Sequence, residues 1–115
     1  MHNLIHTIES ARLDLSDEKR LQADLEDVLI TVGIQFTRER VLSAQDIPDF
    51  LTKDGTVIEC KLRPAQKMAV YRQLQRYSSH AEVRGILLAT NLSMCLPETI
   101  NGKPTYMASL SKGWL

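Results

Sequence analysis

Asp49 and Glu59 stand ten residues apart, and Lys61 follows the second acid by two. Two carboxylates and an ammonium are the ingredients of metal-assisted hydrolysis if the fold brings them together. Thr56 to Leu62 reads as a strand, and strand side chains alternate between faces. Glu59 and Lys61 therefore share one face and Cys60 points to the other. Ile47 to Leu51 reads as the preceding strand, and Lys53-Asp54-Gly55 is a hairpin signal. A two-residue loop would set Asp49 opposite Cys60, on the wrong face. A three-residue loop pairs Thr52 with Thr56 and sets Asp49 opposite Glu59. Gly55 sits where that loop needs a left-handed residue. Opposed Cβ atoms then lie about 4.5–5.5 Å apart. Two like charges that close demand a cation or a shared proton. Oxygen ligands alone favour Mg²⁺ or Mn²⁺ over zinc.

A third acid precedes this pair. Ser16 suits an N-cap, Asp17 and Glu18 suit a first turn, and Leu21, Leu25, Val28, Leu29 and Val32 recur at helical spacing until Gly33. At 100° per residue, Glu18 falls about 20° from Leu25. That places Glu18 at the head of the apolar stripe, aimed at the sheet, with Gln22 near the same face. Glu26 falls on the solvated side. A later helix, Ala65 to Ser79, sets Gln73 among Val70, Leu74 and Tyr77.

Around these lie a short helix from Leu4 to Leu13 and a strand from Ile34 to Leu42. Pro64 ends the Thr56–Leu62 strand. Arg84 to Thr90 is a continuous apolar run, as expected of a strand buried on both faces. Residues 91–105, with Pro97, Gly102 and Pro104, read as a long loop, and Tyr106 to Leu110 as a final strand. The order is αα-βββ-α-β-loop-β: one α/β domain over residues 1–115, a mixed sheet flanked by helices. Its core spans 16–90, with a C-terminal strand and tail over 106–115.

At these residues the chain resembles the PD-(D/E)XK nuclease superfamily. Pro48-Asp49 matches the first motif and Glu59-Cys60-Lys61 the second. Ile58 to Lys61, Gln73-Leu74 with Arg76-Tyr77, and Gly85 to Thr90 resemble the small branch of Holliday-junction resolvases and virus-type replication-repair nucleases. The resemblance covers roughly residues 16–90. It implies a restriction-endonuclease-like core and a metal-dependent endonuclease acting on DNA, and nothing in the chain matches the extra helicase or zinc modules of larger relatives.

By that resemblance, Asp49, Glu59, Glu18 and the Cys60 carbonyl hold Mg²⁺, with Mn²⁺ able to substitute. Lys61 orients or deprotonates the attacking water, and Gln73 positions water or phosphate. Arg63, Lys67, Arg72 and Arg76 track the nucleic-acid backbone, with Arg38 and Arg40 as weaker candidates. A homodimer supplies two sites for two strands. The other reading is a catalytically inactive nucleic-acid-binding module of the same fold.

The 115 residues carry 14 Lys+Arg and 14 Asp+Glu, for a net charge of zero, with 43% hydrophobic and 24% charged residues. These values suit a globular domain and exclude a protein that coats nucleic acid by bulk charge. The charge is uneven: residues 1–60 hold twelve acids and six bases, and residues 61–84 hold six bases and one acid. No signal pattern, membrane-spanning run or small-molecule cofactor motif appears, and two cysteines form no framework, so a cytoplasmic setting is expected. Plainer readings stand beside the catalytic one. Asp49, Glu59 and Lys61 also suit a structural ion pair, Glu18 a first-turn acid, Gln73 a cap on a buried polar group, Tyr77 core packing, and His80 the helix dipole.

Overall fold

The two most apolar runs of the chain become neighbouring central strands. In the computed structural model, which describes residues 1–115, the chain runs α1 (His2–Ser10), α2 (Glu18–Thr31), β1 (Phe36–Arg38), β2 (Phe50–Thr52), β3 (Thr56–Lys61), α3 (Lys67–Ser78), β4 (Gly85–Thr90), β5 (Thr99–Ile100) and β6 (Lys103–Ser109). A 3₁₀ turn follows at Lys112–Trp114. Every residue of β4 is buried. The six-stranded sheet has the order β1-β2-β3-β4-β6-β5. β3, β4 and β6 are parallel, and the outer pairs are antiparallel. This is the expected α/β class with a mixed sheet.

Side-chain alternation divides the apolar residues into two layers. Phe50, Ile58, Cys60, Leu87 and Ala89 face one way and pack with Leu4 and Ile8 of α1 and Leu21, Leu25 and Leu29 of α2. Leu51, Val57, Ile86 and Leu88 face the other way, against Val70, Leu74 and Tyr77 of α3. Helix α2 is capped by Asp17, whose side chain accepts the Arg20 N–H, and not by the expected Ser16. The Ser16 hydroxyl and amide instead bond Asp14. The helix closes by amides of Gly33 on Ile30 O and Ile34 on Leu29 O, the paired bonds of a Schellman end.

The β2–β3 hairpin adopts the three-residue loop. Phe50 pairs with Ile58 and Leu51 with Val57, so the same register sets Asp49 opposite Glu59. Thr52 Oγ1 accepts the Thr56 N–H at 3.0 Å and bonds Asp54, and Gly55 N–H donates to Thr52 O. Gly55 has φ +93°, and a Cβ there would meet Arg84 Cγ and Glu82 O at 3.0 Å. Both the turn and the neighbouring chain require glycine.

The expected Ile47–Leu51 strand is β2, Phe50–Thr52, which leaves Asp49 just outside it, and other bounds shift as well. The first helix ends at Ser10 and not Leu13, and the expected 34–42 strand shrinks to three residues. Residues 91–105 are not all loop, because β5 and the start of β6 form a hairpin there. Its turn is Asn101-Gly102, with φ of 51° and 77°, the pair of positive values that a two-residue hairpin turn uses. At the C-terminus Trp114 Nε1 donates to Leu13 O, tying the tail to the α1–α2 link.

Gly55→Ala is expected to lower folding stability by about 2 kcal/mol, since a left-handed alanine is strained and its methyl meets backbone. Denaturant titration checks this, and an unchanged midpoint would show that the turn does not hold the register.

Candidate active site

Asp49 lies just before β2, where the chain turns away from the β3 edge. Ladder bonds stop there, and the two carboxylates take their place. The Asp49 N–H donates to Glu59 Oε1 at 3.0 Å, and the Cys60 N–H donates to Asp49 Oδ2 at 2.8 Å. Each acid therefore binds main chain belonging to, or adjoining, the other. Both side chains stand on the α3 face of the sheet.

Glu59 is 2% exposed. Its second oxygen, Oε2, lies 3.3 Å from Lys61 Nζ and 3.4 Å from the Tyr77 hydroxyl. Gln73 Nε2 donates to that hydroxyl at 2.7 Å, and the hydroxyl also lies 3.4 Å from Ile47 O. Lys61 keeps about a fifth of its side chain open. Gln73, one turn before Tyr77, thus reaches the site through the phenol. Tyr77 packs in the core as expected, and it also touches Glu59. The Gln-x-x-x-Tyr spacing, which stacks the two on one helical face, carried that signal.

Two acids share one ammonium here, and their proton affinities rise. Burial, then the Asp49 charge, pushes the Glu59 carboxyl up to about 7. Burial also raises Asp49, opposed by the Cys60 amide bond and Lys61. Burial pushes the Cys60 thiol well up, so it stays protonated within the α2 layer and is no thiolate ligand. Its carbonyl shares the strand edge of its amide, the edge that meets Asp49. Burial raises Tyr77 as well, leaving the phenol a proton donor.

Glu18 is not buried at the head of the apolar stripe. It is exposed on the first turn of α2, and that helix enters the packed layer only at Leu21. Its charge still raises Asp49. No group of three or more His, Cys, Asp or Glu side chains is gathered to hold a metal. The fit to a divalent ion rests on the pair itself: hard oxygen donors on a buried Glu59 and a half-buried Asp49, with Lys61 as the one ammonium in contact and Arg38 acting on Asp49 from further off. Asp49, Glu59 and the Cys60 carbonyl are the groups that suit Mg²⁺.

The basic residues separate into two sets. Arg38 bonds Gln22 at 2.8 Å, pairs with Glu26 at 3.4 Å and lies 4.7 Å from the Phe50 ring centre. Arg40 pairs with Glu82 and Arg76 with Asp46. Those three are engaged within the fold, so Arg76 does not stand free as a backbone contact. Arg63, Lys67 and Arg72 are exposed and enter no ion pair. Asp46 and His80, which the sequence reading left out of the site, bond each other at 2.9 Å.

No helix is long and apolar enough to cross a membrane. Comparison with family models, curated proteins and solved structures finds no match to this chain.

Glu59 holds its proton more tightly in the fold, near 7, than at its ordinary value of 4.5. The associated stability is full below the lower value and is lost as pH rises through the higher one. Asp14, Asp46 and Asp54 are held below their ordinary 3.8 and titrate under this window. In chelator, the melting temperature should therefore fall by several degrees from about pH 5 to about pH 8. Glu59→Gln should flatten that slope, and an equally steep slope in the variant would remove Glu59 as its source.

Proposed function

We propose that this chain is a metal-dependent phosphodiesterase acting on nucleic acid, an endonuclease for DNA. The observation that carries the reading is the meeting of Asp49 and Glu59 on one sheet face, with Lys61 beside them and electrostatic room for a cation. The resemblance of Pro48-Asp49 and Glu59-Cys60-Lys61 to the PD-(D/E)XK nucleases supports the same activity.

In this reading Asp49 and Glu59 hold Mg²⁺, or Mn²⁺ in its place, with the Cys60 carbonyl. When bound, the ion acts as a Lewis acid on a phosphate oxygen and acidifies water. The Lys61 ammonium is partly open, so it faces both Glu59 and an incoming phosphate. It offsets the negative charge that grows as water attacks. Tyr77, anchored by Gln73, keeps the second Glu59 oxygen oriented. Gln73 thus acts through Tyr77 more than by touching phosphate.

Arg63, Lys67 and Arg72 supply the backbone-binding surface. Lys67 opens α3, whose first turn has no acid and whose Gln66 cap makes no side-chain bond. A positive side chain at a positive helix end weakens the helix and favours a phosphate. Cutting both strands of a duplex requires two such sites, and hence a homodimer.

One observation favours a binding module without activity: only two carboxylates meet, and Glu18 stands apart. Such a module would bind DNA with full affinity after Glu59→Gln.

Plasmid, branched and single-stranded DNA should be cut with Mg²⁺ and spared with chelator. Glu59→Gln and Lys61→Ala should each slow cutting by about 100-fold or more. If both variants cut at the parent rate, the site is misassigned. Neutralising Arg63, Lys67 or Arg72 should weaken binding to all sequences alike and reduce the salt slope by about one per residue. A salt slope that stays constant would move the nucleic-acid surface elsewhere.

A further inference from the structure

Asp49 is reached through a segment that apolar packing holds only at Leu42, partly buried against the α3 layer, and at the buried Pro48. Residues 39–49 form no helix or strand, and Val41 and Ile47 are 61% and 42% exposed. Between Leu42 and Pro48 its buried anchor is polar. Asp46, 7% exposed, lies three residues before Asp49. Its main chain folds on itself: Leu42 N–H donates to Asp46 O, and Asp46 N–H to Ser43 O. Its carboxylate takes Arg76 Nε at 2.9 Å on one oxygen, and His80 Nε2 at 2.9 Å with Ser43 Oγ at 3.2 Å on the other. These partners hold Asp46 below its ordinary range, so it is an ionised acceptor, and His80 Nε2 must be the donor.

Arg76 and His80 close α3, the helix that also presents Tyr77 to Glu59. His80 is itself fixed: its N–H donates to Tyr77 O at 3.2 Å, and its carbonyl accepts Lys103 Nζ at 2.7 Å and the Val83 N–H at 3.1 Å. Ile47 O, next to Asp46, lies within reach of the Tyr77 hydroxyl. One helix end thus grips the lead-in to one carboxylate and touches the other carboxylate directly.

We propose that His80 and Arg76 are positioning residues: by holding Asp46 they fix Pro48-Asp49 against Glu59 and set the separation of the two acids. The role rests on the phosphodiesterase reading for its purpose, and on geometry for its existence. Pro48 shortens the lever. It is buried and its ring fixes one backbone torsion, which leaves fewer free torsions to absorb a displacement of Asp46 before it reaches Asp49.

The Asp49 and Cys60 amides report the arrangement directly, because each bonds a carboxylate of the pair. Their hydrogen exchange should be followed by NMR in chelator, in the full chain. His80→Ala and Asp46→Asn should accelerate both amides about tenfold while Ile86–Ala89 of β4 exchange at the parent rate. His80→Gln, which keeps a donor near Nε2, should restore protection. Arg76→Gln, at a half-exposed side chain, provides a milder variant with the same direction. Unchanged Asp49 and Cys60 exchange overturns the proposal, and so does equal acceleration in β4, which would mean general loss of stability.

Cleavage separates this proposal from the phosphodiesterase reading. Amides that respond in a chain that never cuts DNA leave the latch standing and remove its purpose. Cutting that needs Glu59 and Lys61 with amides that do not move removes the latch alone.

Discussion

The repulsion between Asp49 and Glu59 is the constraint around which this small sheet is arranged. Nothing about a hairpin requires two acids to face each other where the ladder ends. Holding them there costs desolvation of both charges, and the raised proton affinities record that cost. The fold answers with two main-chain donors, one ammonium and one phenol. Main-chain amides are rigid donors, fixed by strand geometry, and an ionised acceptor strengthens them. The pair is therefore ordered but under-neutralised. A purely structural ion cluster has little reason to stop there.

The alternation of β3 separates chemistry from packing within single residue steps. Ile58 and Cys60 point into the α1–α2 layer, while Glu59 and Lys61 point toward α3. The α2 side is apolar around Cys60, which is buried there as a neutral thiol. The α3 side is mixed, with Leu51, Val57 and Leu88 near its base and polar side chains toward the end of β3. A one-residue slip of the hairpin would exchange these faces. It would bury Asp49 among leucines and set Glu59 opposite the apolar Phe50. Gly55 guards against that slip by making the three-residue turn the low-energy one.

Much of this was legible because local rules fix it. Lys53-Asp54-Gly55 specifies a turn length, turn length specifies register, and register brings Asp49 to Glu59. Other features needed knowledge that no local rule holds. A helical wheel gives the angle of Glu18 about the axis, but not where along the axis the packed layer begins. Because α2 enters that layer only at Leu21, Glu18 is exposed. The β5–β6 hairpin was hidden by Pro97 and Pro104, although Asn101-Gly102 is a strong turn signal. Asp46 and His80 are 34 residues apart, and only the packing of α3 makes them neighbours. Arg76 read as a free base for the same reason, since its acid partner lies in a distant irregular segment.

The balanced net charge takes its meaning from position. Under the proposed function a phosphate must approach two carboxylates, and like charges would exclude it from that place. Two arrangements reconcile the approach: protonated acids or an intervening cation. Burial and the Asp49 charge raise the Glu59 proton affinity, but protonation would also take an oxygen donor from the site. A divalent ion converts the repulsive pair into an attractive site. Arg63, Lys67 and Arg72 then need only guide the flanking backbone, which explains how a chain with no net positive charge can still present a phosphate path. Under that function, the acids and the free bases divide the work: one holds the cation that admits phosphate, the other guides the backbone on either side.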